Sequence, residues 1–114
     1  MPKITNEKKL EAVKEWLSKN GILYFENYKS GFGVTLDLKI PSLMIAVFLS
    51  DDNKEEETEK CNAAKGHWPL RWTYRPFFIR DSEAKGFVLE KLQNCCYERM
   101  VYMQRKWEKS QKNK

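Results

Sequence analysis

Asp37 stands alone among apolar residues in the stretch VTLDLKIPSLMIAVFLSDD, residues 34–52. Such a carboxylate is either the polar member of a half-wet strand or a ligand for a hard cation. Hard cations prefer oxygen donors and acidify water for phosphodiester hydrolysis. Lys39 follows two residues later, on the same face of a strand, so its ammonium could reach the same pocket. Asp51 and Asp52 close the apolar run and would either add an acid or form a turn or helix cap. Further along, Arg71, Trp72, Tyr74 and Arg75 interleave cations with aromatic rings. That pattern can follow a nucleic-acid backbone while stacking on bases, or it can fill a core. The C-terminal stretch holds Arg99, Arg105, Lys106, Lys109, Lys112 and Lys114, which form either a solvated face or an electrostatic footprint for phosphates.

Other chemistries are poorly served. The cysteines are Cys61, Cys95 and Cys96; their number is odd and two are adjacent, which argues against a disulfide framework and for a reducing compartment. There is no CxxC pair, and His67 has no neighbouring ligand set, so a structural zinc site is not expected. The N-terminus is charged and lacks an apolar signal core, and the longest apolar run, Leu43 to Leu49, is too short to span a bilayer. A cytoplasmic protein with no membrane partner is expected. The net charge of +5 fits an acidic partner but does not demand one.

The elements that must position these residues can be read in order. Asn6 to Asn20 is a helix with Leu10, Val13 and Leu17 as its stripe, Thr5 or Asn6 as its cap and Gly21 as its stop. A strand over ILYFENY leads to a turn at Lys29, Ser30 and Gly31. The next strand alternates, with Val34, Leu36, Leu38 and Ile40 opposed to Thr35, Asp37 and Lys39. After Pro41 and Ser42, the strand LMIAVFL is apolar on both faces and must lie centrally, covered on both sides. The acid-rich segment from Asp51 suits a helix, and LRWTYRPFFIR a fourth strand around Phe77 to Arg80, with Pro76 at an edge or a strand start. Asp81 or Ser82 caps a last helix whose apolar stripe, including Val88, Leu92, Cys96, Met100, Met103 and Trp107, continues to about residue 108. The 114 residues thus predict one α/β domain over 1–109, a three-layer sandwich in the order α-β-β-β-α-β-α around a mixed four-stranded sheet, and a basic flexible tail at 110–114.

This order, with a lone aspartate on the second strand and DLKIPSLMIAVFL from Asp37 to Leu49, resembles the PD-(D/E)xK nuclease superfamily. It looks most like the very-short-patch-repair endonuclease branch. The resemblance implies a restriction-endonuclease-like fold and a divalent cation such as Mg2+. It places the metal at Asp37 and at the main-chain carbonyl of Leu49, with an acid from the first helix, Glu11 or Glu15. Those two glutamates also lie near Lys8, Lys14 and Lys19, as solvated helix acids do. The usual acid-x-lysine of the third strand is replaced by Phe48 and Ser50, and Ser50, Asp51 and Asp52 stand where the branch has histidines. Lys39, or bound water, is left to supply the base. The expected function is therefore a nuclease-related, DNA-handling protein, degenerate as an endonuclease, with Arg71, Trp72, Tyr74, Arg75, Arg105, Lys106 and Lys109 contacting nucleic acid. The alternative is a small interaction module that keeps the fold and binds another protein.

Overall fold

The computed structural model describes residues 5–29, 35–64 and 74–112. Its elements are α1 (Asn6–Lys19), β1 (Phe25–Lys29), β2 (Thr35–Ile40), β3 (Ile45–Ser50), α2 (Lys54–Ala64), β4 (Arg75–Arg80) and α3 (Lys85–Lys112). The strands form one sheet in the order β1-β2-β3-β4. The first two pairings are antiparallel and the last is parallel, so the sheet is mixed. This is the α/β architecture expected from the sequence. Val34, His67, Arg71 and Trp72 lie outside the described residues.

Helix α1 is capped by Thr5, whose hydroxyl oxygen accepts the Lys8 N–H. At its other end the Ile22 N–H bonds to the Leu17 carbonyl and the Gly21 N–H to the Ser18 carbonyl, with Gly21 at φ 67. Those two bonds make a Schellman terminator, which only a residue tolerant of the left-handed region completes cheaply. Ile22 therefore belongs to the helix stop, and β1 starts later than the apolar letters of ILYFENY suggest.

Strand β3 behaves as its sequence requires, and β2 alternates as expected at Leu38 and Ile40 but not at Leu36, which packs with Ala46 and Phe48 on the opposite face instead of sharing the face of Leu38. In β2, Leu36, Leu38 and Ile40 are buried while Asp37 and Lys39 are half-buried. In β3 every residue is buried except the half-buried Leu49. Val13 and Leu17 of α1 join Val88, Leu92, Cys95 and Cys96 of α3 against Leu38, Ile40, Val47, Phe77 and Ile79, forming the main core. A smaller core of Leu36, Ala46 and Phe48, with Tyr74 and Phe78, lies on the other face, where Lys60 of α2 reaches over the Phe48 ring. The sheet is thus sandwiched, with α1 and α3 on one side and α2 on the other.

Two features of α3 depart from the simple pattern. It begins at Lys85, with the Val88 N–H bonded to the Ala84 carbonyl, rather than directly after Asp81 or Ser82. The cause is Glu83, whose carboxylate accepts the Arg80 N–H, and Asp52, which accepts both the N–H and the hydroxyl of Ser82; together they hold the connection as a turn. The helix also outruns the sheet. Six-residue strands cover about 20 Å, whereas 28 helical residues run about 42 Å. The apolar stripe is buried only as far as Cys96; Met100 and Trp107 are exposed, and the helix continues to Lys112. No helix among the described residues is long and apolar enough to cross a membrane.

Strand β4 is a sheet edge, and several of its outward backbone positions are closed. The N–H groups of Arg75 and Asp81 point inward to Met44 and Ser50, so residues 76, 78 and 80 face outward. Pro76 has no N–H to leave unpaired. The Phe78 carbonyl accepts Lys91, and Arg80 gives its N–H to Glu83 and its carbonyl to Lys9. An edge blocked in this way resists the addition of a further strand.

Candidate functional site: a closed acid position on the sheet face

Residues 45, 47 and 49 of β3 direct their backbone groups towards β2, because the alternate positions serve β4. The paired register with β2 runs from Ile40–Ile45 to Leu38–Val47 and ends there. Two residues further along β3, both backbone groups of Leu49 bond to side chains. Its N–H donates to a carboxylate oxygen of Asp37 at 2.8 Å, and its carbonyl accepts the Lys60 ammonium at 3.2 Å. Asp37 and Lys60 thus supply the bonds that a continued ladder would have made. Lys60 is fixed further by Glu56, one helical turn earlier at 3.2 Å, and lies 5.8 Å from the centre of the Phe48 ring.

Lys39 shares the Asp37 face but is turned to aromatic partners. Its ammonium lies 3.9 Å from the centre of the Tyr28 ring and 5.7 Å from that of Tyr74. The Leu49 side chain packs against the main core, its backbone alone meeting Asp37, but Asp37, Lys39 and Tyr74 are gathered on the α2 side of the sheet. Glu11 and Glu15 are not among them. They belong to α1, in the opposite layer, and pair with Lys14 at 3.2 Å and Lys19 at 3.3 Å. Asp51 accepts the Asn53 N–H in a local turn. Arg75 is bound to Glu98 of α3 at 2.8 Å, and Arg105, Lys106 and Lys109 stand exposed on the projecting half of that helix.

Sequence reasoning missed Lys60, Glu56 and Tyr28. The first two form an i,i+4 pair on a helix without an apolar stripe, which reads as solvated charge. Tyr28 pairs with Leu36 in the β1–β2 register and meets Lys39 beside the left-handed backbone of Asn27, at φ 48, which no sequence pattern records.

A second polar cluster ties the C-terminal ends of β3 and β4 to all three helices. Arg80 forks onto both oxygens of Glu57, at 2.9 to 3.2 Å, and the Ser50 hydroxyl donates to the same carboxylate at 2.5 Å. The Arg80 guanidinium, helped by Ser50 and opposed by burial, holds Glu57 below the usual carboxylate range. Lys9, with only 2% of its surface exposed, donates to the carbonyls of Arg80 and Asp81 and to the Asn6 side chain. Lys91 completes the cluster through Glu83. Among the described residues every buried side-chain polar atom has a partner. The cluster reads as a lock between layers.

The donor set does not fit a divalent ion as it stands. One Asp37 oxygen holds an N–H, the Leu49 carbonyl holds an ammonium, and Glu56 of α2 is itself paired with that ammonium. Among the described residues no three His, Cys, Asp or Glu side chains are grouped to hold a metal. The chain matches no protein-family model, no curated protein and no solved structure.

Proposed function

We propose that this chain is a nucleic-acid-binding domain on a nuclease-like frame whose hydrolytic position is closed. The observation that carries this reading is the Lys60 ammonium on the Leu49 carbonyl, with Asp37 turned to the Leu49 N–H. Metal-assisted phosphodiester hydrolysis needs a cation that binds water and lowers its pKa. A tethered ammonium supplies charge but no coordinated water. Binding needs less: exposed cations displace the counterions of a phosphate backbone, and Arg105, Lys106 and Lys109 on α3 are exposed.

The test pairs an anisotropy titration of short single- and double-stranded DNA at two salt concentrations with a plasmid-nicking assay in Mg2+ or Mn2+. Salt-sensitive binding without nicking is expected. Nicking that disappears in Asp37→Asn would overturn the closed centre. Absence of binding at low salt would end the nucleic-acid reading and favour a protein partner. That second reading is supported by the exposed Tyr97, Met100 and Trp107 on the projecting half of α3.

A further inference from the structure

The sheet face that carries Asp37 is only partly roofed. Helix α2 packs over β3 and β4, while β1 and β2 carry an aromatic group around Lys39. Phe25 is the register partner of Lys39 and therefore shares its face. Tyr28 would fall on the other face under strict alternation. Asn27, however, stands at φ 48, and the Tyr28 ring lies against the Lys39 ammonium. Phe25 is 48% exposed and Tyr28 41%, and Tyr74 closes the group from the β4 side.

We infer that Tyr28, Lys39 and Tyr74, with Phe25 beside them, form a stacking platform for unpaired nucleobases, so that the ligand is single-stranded nucleic acid. The inference rests on the nucleic-acid reading above. A base inside a duplex has both faces covered by its neighbours and offers nothing to a ring on a flat sheet. An unpaired base exposes a face, and base–aromatic stacking is tolerant of sequence because every base has one. The free protein protects the Tyr28 ring with the Lys39 ammonium. When a base takes that place, Lys39 is released one side-chain length from the strand it must neutralise.

The experiment is an anisotropy titration of a fluorescein-labelled oligodeoxythymidylate 15-mer and of a duplex of equal length at low salt. It uses the wild-type chain, Tyr28→Ala and Tyr28→Phe. The single strand should bind more tightly than the duplex. Tyr28→Ala should weaken the single strand by roughly tenfold while leaving the duplex unchanged, and Tyr28→Phe, which keeps the ring, should retain wild-type affinity. Equal affinity for the two forms, or a single strand indifferent to Tyr28→Ala, overturns the platform and leaves nucleic-acid binding standing. Failure of both oligonucleotides to bind overturns both readings.

Discussion

The Lys60 ammonium lies 3.2 Å from the Leu49 carbonyl oxygen, and this contact puts a fixed protein charge where β2 and β3 cease to pair. A splayed strand pair leaves backbone groups that need partners. Here two side chains of opposite charge, from β2 and from α2, provide them. The same two bonds that complete the sheet also occupy one Asp37 oxygen and the Leu49 carbonyl, on which a cation would settle.

Lys60→Met should therefore destabilise the fold by about 1–2 kcal/mol, since a partly buried carbonyl loses its donor while the aliphatic packing is kept. Urea unfolding measures this directly. An unchanged midpoint would mean that water replaces the ammonium without loss.

Asp37 allows a sharper comparison. Asp37→Ala leaves the Leu49 N–H without its acceptor and should cost about 1–3 kcal/mol, whereas Asp37→Asn keeps an oxygen for that bond and should cost less than about 1 kcal/mol. Thermal denaturation of the two variants tests it. Equal losses would show that the charge of Asp37, not its bond to Leu49, is what the fold uses.

The contrast between Asp37 and Lys60 shows what was legible in the sequence. Alternation in β2 and the unbroken apolar letters of β3 are local patterns tied to burial, so the element order, the central strand and the half-buried polar position of Asp37 could be read directly. Lys60 could not. Its role depends on where α2 crosses the sheet, and helices held by a few ion pairs carry no stripe that reveals their docking face. Glu11 and Glu15 failed to converge on Asp37 for a related reason. Heptad-like spacing places them on the solvent side of α1, but only the layer arrangement shows that α1 covers the opposite face. The exposed end of α3 follows from a mismatch of lengths that periodicity does not record.

The Glu57–Arg80 fork should give the protein an acid-sensitive lock. Glu57 has its folded pKa lowered from the ordinary 4.5, so the unfolded chain takes up this proton first as pH falls. The stabilisation is fully present above about pH 4.5 and is lost as the pH drops through the folded value. Glu57→Gln should be less stable than wild type at pH 7 by about 1–3 kcal/mol, and the difference should shrink in acid. Melting curves from neutral to acid pH would show the two proteins converging. A gap that stayed constant in acid would assign the loss to packing instead of charge.

On the projecting half of α3, Arg105 and Lys109 stand one helical turn apart and are both exposed. If each neutralises one phosphate, the double variant Arg105→Gln/Lys109→Gln should bind nucleic acid more weakly at low salt. The slope of log affinity against log salt should flatten by roughly 1.8 on duplex DNA and roughly 1.4 on a single strand. This effect should be indifferent to base identity, because phosphate contacts carry no sequence information. It also separates from the effect of Tyr28→Ala, which removes a stacking surface without removing a cation and should leave the slope in place. Anisotropy titrations over a range of salt concentrations distinguish the two. An unchanged slope in the double variant would place the phosphate contacts elsewhere and leave the end of α3 to a protein partner.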